Sequence, residues 1–354
     1  MRPRCVGLVV LAAALIAFSG VQADADEHQP WRDLLERAVE AGRDLSYRGQ
    51  LVVVSFGARG PTVDQFVVSQ GTDGSLVTDR TGSWLLGQRG DESFFGDHLT
   101  GTLLRLGAVE RTGLALHRLA RKYEVSLDGA ADVAGGTAAV VVLRERGARH
   151  VRERLYVDRH TGLLVRRETF RADGQPVRLA TLTSFDRTPT GLPPIESSWP
   201  REVRPTHAPV SRRSVRILRE VGWVVPDGLP GAFDLVDASA VGDGEGSSLH
   251  LFYSDGLYTL SVYEQHGTPD GQALLAQGAE PGRLGRLHVF RFPRAQPDAY
   301  VWGGGGLTFT AVSDVAPDAL AEALEALPHD PPSSVLQRVG RGLRRVGTWL
   351  WPFD

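Results

Sequence analysis

From Tyr123 to Phe185 the sequence is a succession of short apolar segments separated by turns, and this pattern constrains the fold more than any other feature. The segments YEVSLDG, TAAVVVLRE, HVRERLYVDRHTG, LLVRRETFRADG and PVRLATLTSF follow one another. Short segments of this kind, bounded by turn residues, are typical of β-strands. The turns at Gly162 and Asp173-Gly174 predict that the last segments form an antiparallel meander.

Strands also occupy the chain upstream, so that most of the range from 47 to 186 is predicted to be sheet. RGQLVVVSF (48–56) and TVDQFVVSQ (62–70) come first, and SLVTD and SWLLGQ follow the turns Asp73-Gly74 and Thr81-Gly82. Residues 99–121 interrupt the pattern with a leucine-rich stretch, which predicts a helix or a lid.

A helix precedes the strands. Apolar residues fall on one of its faces, and Pro30 occupies a position that the first turn of a helix tolerates. The sequence therefore predicts an amphipathic helix that packs its apolar stripe on the sheet. The stripe consists of Trp31, Leu34, Leu35, Ala38, Val39, Gly42 and Leu45.

The stretch LHLFYSDGLYTLSVYEQ (249–265) predicts a β-hairpin in the second half of the chain. Its two runs alternate with a period of two, and Asp255-Gly256 between them supplies the left-handed backbone that a short turn requires. Further strands surround this hairpin, and PDALAEALEAL (317–327) predicts a short helix with Pro317 in its first turn.

The chain of 354 residues has room for two domains. We expect a first domain at 24–186 and a second, smaller one at 214–327. Residues 187–213 hold many prolines without periodicity, which favours an extended linker. Ile195 and Trp199 leave open an ordered strap packed over the sheet. The predicted fold class is mainly β with helices (α+β).

The N-terminus has the features of a secretory signal peptide, assigned to residues 1–23. Arg2 and Arg4 precede an apolar run from Val6 to Phe18, and small residues come before Asp24. A retained membrane anchor is the alternative, although the run is short for a bilayer span. Cys5, the single cysteine of the chain, lies ahead of the apolar run, so the mature chain has no disulfide.

The C-terminal segment 328–354 has the pattern of a basic amphipathic helix. Its apolar residues recur at helical spacing, at Val335, Leu336, Val339, Leu343, Val346 and Leu350. This pattern is suited to a membrane surface or a partner groove. Gly340, Gly342 and Gly347 weaken a helix and leave open a frayed or self-docked tail. The candidates for membrane contact are Arg338, Arg341, Arg344, Arg345, Trp349 and Trp351.

No arrangement of residues in the sequence indicates catalysis or a metal centre. The Gly-x-Ser-x-Gly, His-Glu-x-x-His and phosphate-loop patterns do not occur, and the ten histidines do not form pairs at ligand spacing. The prediction is a protein that is not an enzyme and needs no cofactor. A formal net charge of −3 is also unsuited to nucleic-acid binding.

The function class that remains is the binding of a lipid or a protein. A curved sheet with a helix on one side offers a concave apolar face that an acyl chain could occupy. The alternative is that these residues are plain core under the helix. The candidates for this cavity are Leu51, Val53, Phe66, Val68, Trp84 and Leu86 from the strands, with Leu103, Leu104 and Leu106 from the lid segment.

Several segments together resemble the MucB/RseB family of exported sigma-factor regulators. In the first half they are DLSYRGQLVVVS (44–55), KYEVSLDGAADVAGGTAAVVVLRE (122–145) and LYVDRHTGLLVRRETFRADGQPVRLATLTSF (155–185). In the second half they are GWVVPDGLPGAFDLVDAS (222–239) and LHLFYSDGLYTLSVYEQHG (249–267). The tail after Leu327 has no counterpart in the resemblance.

The resemblance implies a first domain similar to the lipoprotein carriers LolA and LolB, an incomplete antiparallel β-barrel wrapped on a helix. It also implies a second domain that helps to hold the exported part of a transmembrane anti-sigma factor, with acyl lipid in the first domain releasing that partner. The protein would then be exported, to the periplasm or the outer face of the cytoplasmic membrane. The candidates for partner binding are Tyr253, Asp255, Gly256, Leu257 and Tyr258. The alternative function is a lipid or lipoprotein carrier of the cell envelope.

Overall fold

A computed structural model of the chain shows two mainly antiparallel sheets with five helices among the residues it describes. Most of the predicted leader and tail lie outside those residues. The structure describes residues 29–57, 60–90, 92–98, 101–106, 116–187, 192, 199–203, 207–242, 247–292 and 298–330.

The first domain contains α1 (Pro30–Asp44), α2 (Leu116–Lys122) and a sheet of twelve strands. The strands are β1 (Tyr47–Gly57), β2 (Gly60–Gly71), β3 (Gly74–Asp79), β4 (Trp84–Arg89), β5 (Glu92–Asp97), β6 (Thr102–Leu106), β7 (Tyr123–Val133), β8 (Gly136–Glu145), β9 (Val151–Asp158), β10 (Leu164–Phe170), β11 (Pro176–Asp186) and β12 (Arg201–Val203).

The strand order is β12-β6-β5-β4-β3-β2-β1-β11-β10-β9-β8-β7. Neighbours along the chain pair with each other, with two exceptions: β12 pairs with β6, and β1 pairs with β11. The second of these pairs brings the two predicted strand groups into one sheet. The strands at the two ends of this order, β12 and β7, do not pair with each other, so the sheet is an open barrel. The predicted incomplete antiparallel barrel is confirmed.

Helix α1 covers part of this sheet with the apolar stripe that the sequence predicts. Trp31, Leu35 and Val39 are buried, and they share one cluster with Val141 and Leu155 of the strands beneath. Strand β8 is buried on both faces over Ala138–Leu143 because its other side packs into a second cluster. Burial on both faces explains why the apolar residues of β8 form a nearly continuous run instead of alternating with polar ones.

The expectation of a helix or lid at 99–121 is wrong for its first part. Residues Thr102–Leu106 form β6, which pairs with β5 on one side and with β12 on the other. Leu103 is fully buried in this arrangement. The leucines at 103, 104 and 106 carry no period that separates a short buried strand from a helix, and the neighbouring strand decides the outcome. The helical part of the segment is α2.

The proline-rich segment after 187 is ordered where the structure describes it. Arg201–Val203 forms a parallel pair with β6, and Trp199 packs on the cluster of Leu76, Leu85 and Phe94. For these residues the strap is the better description than the free linker. Ile195 lies outside the described residues. The domain boundaries proposed from the sequence stay predictions.

The second domain contains α3 (Arg212–Glu220), α4 (Gly271–Ala276), α5 (Pro317–Leu324) and a sheet of nine strands. The strands are β13 (His207–Pro209), β14 (Gly228–Leu229), β15 (Phe233–Val241), β16 (Ser248–Ser254), β17 (Thr259–His266), β18 (Glu280–Leu284), β19 (Leu287–Phe292), β20 (Asp298–Gly304) and β21 (Leu307–Ser313).

The main strand order is β13-β15-β16-β17-β21-β20-β19-β18. Strands β16 and β17 form the predicted hairpin, and Gly256 in its turn has a φ of 98°. The predicted short helix forms as α5, which buries Leu320 and Leu324. Helices α3 and α4 are not predicted by the sequence analysis. Ser211 is the N-cap of α3, and its side chain accepts a hydrogen bond from the Ser214 N–H.

The two domains share one hydrophobic core. Val141 and Leu155 of the first sheet belong to the same buried cluster as Val262 and Phe309 of the second sheet and Leu320 of α5. The interface therefore contains apolar packing as well as the polar contacts described below.

Gly304 in β20 lies where the chain after α5 crosses the second sheet. A Cβ atom at Gly304 would lie 2.1 Å from the carbonyl oxygen of Pro328, so the backbone would have to shift. We expect Gly304→Ala to lower the free energy of unfolding by about 1–3 kcal/mol in chemical denaturation, since the added methyl group is overpacked. Gly282→Ala is the matched control because nothing lies within 4 Å of its Cβ position. Equal stability of the two variants would contradict this packing.

Candidate functional site

The turn of the β16–β17 hairpin is docked on the first domain through Asp255. Its Oδ1 accepts hydrogen bonds from the N–H groups of Leu257 and Tyr258, with N···O distances of 2.9 and 2.8 Å, and these bonds fix the turn. Its Oδ2 accepts hydrogen bonds from Lys122 Nζ at 2.6 Å and from the Tyr123 hydroxyl at 2.9 Å. One buried carboxylate thus shapes the hairpin and connects it to the end of α2 and the start of β7.

Tyr258, at the other end of the same turn, reaches β9 of the first domain. Its hydroxyl donates a hydrogen bond to Glu153, and both residues are buried. The guanidinium of Arg167 lies 5.1 Å from the centre of the Tyr258 ring. This distance is suitable for a cation–π contact.

Arg167 joins carboxylates of both domains. Its Nε donates to Glu153 at 3.1 Å, and its Nη1 donates to Asp314 of the second domain at 2.8 Å. Burial lowers the pKa of Arg167, but the Glu153 and Asp314 carboxylates outweigh burial and raise this pKa well above its ordinary value. The guanidinium therefore stays charged, and its removal would leave two carboxylates buried without their counter-ion.

In the described residues, several cations of the first domain pair with carboxylates of the second domain. Four pairs have at least one partner that is almost fully buried, which distinguishes them from ordinary surface ion pairs. The four pairs are Lys122–Asp255 (2.6 Å), Arg152–Asp318 (2.8 Å), Arg167–Asp314 (2.8 Å) and Arg178–Asp298 (3.2 Å). We call this set the ionic row.

In the ionic row, the charged form of Asp318 is stabilised by hydrogen bonds from the first domain. Its Oδ2 accepts hydrogen bonds from Arg152 at 2.8 Å and from the Ala172 N–H at 2.9 Å. Burial raises the pKa of Asp318, but these hydrogen bonds outweigh burial and lower it below its ordinary value. Asp318 is also in the first turn of α5, where a negative charge is favourable.

The five candidates for partner binding lie together, but not on an open surface. Tyr253, Asp255, Gly256 and Tyr258 are buried, and Leu257 is half-buried. The Tyr253 hydroxyl donates to the Pro226 carbonyl within the second domain. In this arrangement the hairpin holds the two domains together. Its use in partner binding stays a prediction, and direct contact with a partner requires the domains to separate.

The candidates for the lipid cavity are divided between separate groups. Leu51, Val53, Phe66 and Val68 are buried in one cluster, and Trp84 packs on Phe66 with ring centres 5.7 Å apart. The buried residues of α1 such as Leu35 and Val39 belong to the other cluster, whereas Leu45 at the C-cap of α1 packs against this one. Leu86 is buried opposite Val77 in the same sheet.

Leu103 belongs to a different cluster, beneath Trp199. Leu104 and Leu106 are in β6 beside it, and their side chains lie outside the description. The described candidates therefore lie in more than one hydrophobic cluster. Their role with lipid stays a prediction.

The six candidates in the tail, Arg338, Arg341, Arg344, Arg345, Trp349 and Trp351, lie outside the described residues. No helix in the described ranges is long and apolar enough to cross a bilayer. The same ranges contain no cluster of three or more histidine, cysteine, aspartate or glutamate side chains that could hold a metal ion.

The sequence analysis missed the ionic row. Its carboxylates at 298, 314 and 318 are at the ends of strands or at a helix start, where aspartate is common without any partner. One available signal was Lys122, because it is the single lysine in a chain whose other basic residues are arginine or histidine.

Comparison with known proteins agrees with this architecture. Residues 97–204 match the family model described as the MucB/RseB N-terminal domain. A crystal structure of MucB is similar with a TM-score of 0.51 and 18% identity, covering 83% of this chain and 96% of that one. The MucA/MucB complex structure from Pseudomonas aeruginosa gives a TM-score of 0.50 and 18% identity, covering 86% of this chain and 100% of that one. No curated protein sequence matches.

The resemblance to MucB/RseB is confirmed by these comparisons. The family model covers much of the first domain and the segment that follows it. The structural likeness covers both domains and establishes the fold.

Proposed function

We propose that this protein is an exported negative regulator of an extracytoplasmic-function sigma factor pathway. It binds the exported part of a transmembrane anti-sigma factor and is not an enzyme. The family-model match and the fold of MucB support this proposal, and one similar structure is a complex of MucB with MucA.

The observation that carries the proposal is the second domain and the way it is attached. A carrier of lipid or lipoprotein needs only a barrel with a cavity. Here a second sheet docks on the barrel through the ionic row and through the hairpin turn at Asp255 and Tyr258. A second domain that can change its position is what a regulator of a protein partner requires.

The chemistry of the interface favours reversible separation. Buried ion pairs contribute little net stability because desolvation of the charges offsets their attraction, and water solvates the same groups once the domains part. Interfaces between domains with this polar character commonly permit relative motion. The shared apolar core opposes separation, so the closed arrangement is the stable one without a ligand.

Strands β10 and β11 connect the cavity candidates to the interface. Ala180 and Leu182 of β11 share the buried cluster of Leu51 and Val53. Ala180 pairs directly with Arg167 of β10, and the Arg178 side chain two residues away binds Asp298. An acyl chain that entered this cluster would displace β11 and disturb both ion pairs. Lipid and partner would then favour different domain arrangements, each by its differential affinity.

The test uses residues 24–354 to recover partners from the native membrane fraction, with and without added lysophospholipid. We expect a single-pass anti-sigma protein to be recovered and then released by the lipid. Glycerophosphocholine, which has the headgroup and no acyl chain, is the matched control and should release nothing. Recovery of lipid or lipoprotein alone would refute the regulator and support the carrier.

The reactivity of Lys122, the single lysine of the chain, provides a second measurement in the same experiment. Lys122 has 10% side-chain exposure and is bound to Asp255, so an amine-reactive ester should modify it slowly. Peptide mapping by mass spectrometry separates Lys122 from the N-terminal amine. We expect lysophospholipid to accelerate modification of Lys122 about tenfold or more, since the interface opens. Release of the partner with unchanged reactivity of Lys122 would refute the domain separation while leaving partner binding intact.

A further inference from the structure

The second sheet has two faces, and the packing described so far concerns one of them. Leu251, Tyr253 and Val262 face the core that is shared with the first domain. Side chains alternate along each strand, so the residues between them face the other way. His250 pairs with Tyr263, and Phe252 pairs with Ser261, which places these side chains together on the second face.

The second face continues across β21 and β20. Tyr263 pairs with Thr310, and Thr310 pairs with Val301. The neighbouring row contains Val312 and Ala299. This face therefore contains apolar and aromatic side chains together with His250, Ser261 and Thr310. It extends along five strands, from β16 to β19, a width of about 19 Å.

The apolar side chains on this face are shielded from water. Phe252, Tyr263, Val301 and Val312 have 5–7% exposure. Helix α4 reaches the face at its β19 edge, where Gly271 approaches the ring of Phe290. With six residues, α4 is only about 9 Å long and cannot cover the whole width. A layer of this kind requires a further cover.

The path of the chain after α5 leads to this face. The Pro328 carbonyl lies over Gly304 and accepts a hydrogen bond from Trp302 Nε1 at 3.1 Å. The Asp330 N–H then donates to the Gly303 carbonyl at 2.9 Å, and its side chain accepts from the Gly305 N–H at 3.3 Å.

Gly303 belongs to the second face because it is two residues beyond Val301. A Cβ atom there would lie 2.9 Å from Pro269 and 3.9 Å from Asp330 Oδ2. The chain thus rounds the end of the sheet and is pinned at the edge of its second face, at the residue where the described chain ends.

We propose that residues 331–354 fold back as an amphipathic helix that covers the second face of the second sheet. The apolar stripe of Val335, Leu336, Val339, Leu343, Val346 and Leu350 would lie on Phe252, Tyr263, Val301 and Val312. A helix from 335 to 350 is about 23 Å long, which matches the width of the face.

The glycines of the tail fit this arrangement. Gly340, Gly342 and Gly347 disfavour a helix in isolation, so the segment needs a surface that stabilises it. The anchor at Asp330 keeps that surface at high effective concentration. The arginines at 338, 341, 344 and 345 fall outside the stripe and would face solvent or the rim of the sheet.

Thr310→Cys tests the proposal, since the chain from residue 24 has no cysteine of its own. Thr310 is half-buried on the second face between Tyr263 and Val301. We expect slow reaction with a maleimide in the full mature chain, and reaction about tenfold faster when Leu343→Asp and Val346→Asp are added, since the helix can no longer dock.

Two controls separate docking from other effects of the tail. Arg341→Ser and Arg344→Ser change the net charge as much as the two aspartates do but leave the stripe intact, and they should leave the Thr310→Cys rate unchanged. Thr62→Cys, exposed on the first domain, should react equally in every variant. Circular dichroism checks that the sheets stay folded.

Equal rates at Thr310→Cys with the native stripe and with the aspartates, whether fast or slow, would overturn the proposal. Binding of phosphatidylglycerol vesicles through Leu343, together with a fast rate in their absence, would also overturn it and assign the tail to a membrane surface. Partner recovery in the pull-down is independent of both outcomes.

Discussion

Replacement of Asp255 by alanine is expected to lower the free energy of unfolding by about 3–5 kcal/mol, because it removes the nearest counter-ion of the buried Lys122 and leaves the amine with Glu145 at 3.9 Å. The carboxylate is almost fully buried, and its loss also removes the hydrogen bonds to the Tyr123 hydroxyl and to two N–H groups of the turn. Urea denaturation of the mature chain measures the difference, with two-state behaviour checked by two probes.

Asp234→Ala is the matched control at the same interface. Asp234 pairs with Arg121 at 2.7 Å, but the two side chains are 44% and 63% exposed. Ion pairs with this exposure contribute about 0–1 kcal/mol, so the control should change little. If the two variants lose the same stability, burial of the ionic row does not have the effect that we assign to it.

The Asp255→Ala variant also tests whether the Asp255 contacts or the apolar packing keep the interface closed. We expect Lys122 to become reactive toward an amine-directed ester even without lipid, because the hydrogen bond that shields its amine is gone. The control variant should keep Lys122 as slow as in the native chain. A native rate at Lys122 in Asp255→Ala would mean that apolar packing alone closes the interface.

Local patterns predicted most of the strands but not how the domains meet. The short apolar segments and the turns between them were sufficient for the meander of β8 to β11, and the turn at Asp255-Gly256 has its predicted left-handed residue. These features depend on neighbours in the chain. The contacts of Asp255 with Lys122 and of Tyr258 with Glu153 join residues more than 100 positions apart. No pattern within either segment encodes their docking.

The errors have the same physical origin. Leu103 was placed in a helix or lid because a leucine-rich stretch has high helix propensity, yet pairing with β5 and β12 makes it a strand. Helix α3 was missed because its nine residues include four arginines and three apolar residues, of which Val215 and Leu218 pack on the core. Tertiary contacts decided both outcomes.

Glu264 gives the second prediction, which concerns pH. Its side chain is fully buried near the end of β17, between Leu249 and Phe309 on the neighbouring strands. Oε2 accepts the N–H of Val224 at 3.0 Å, and Oε1 has no hydrogen-bond partner. Burial raises the pKa of Glu264 to about 8, although the Val224 hydrogen bond lowers it in part. The carboxyl group is therefore protonated in the folded protein at neutral pH.

The sign of the effect follows from the two states. Between the unfolded pKa of 4.5 and the folded pKa of about 8, the folded protein retains a proton that the unfolded chain has released. Stability from this group therefore falls as pH rises, by about 1.4 kcal/mol per pH unit in that window. The total is on the order of 3–5 kcal/mol at pH 8.

We expect Glu264→Gln to remove this slope, because glutamine does not titrate and its carbonyl can still accept the Val224 N–H. The variant should be more stable than the native chain by about 3–5 kcal/mol at pH 8 and close to it at pH 4.5. Denaturation at several pH values measures both chains, and Glu40→Gln on the exposed side of α1 controls for the loss of a carboxylate. A variant that loses stability at pH 8 would mean that Glu264 is charged in the folded protein. The carboxylate would then need a counter-ion inside the core, whereas the neutral carboxyl group that we infer does not.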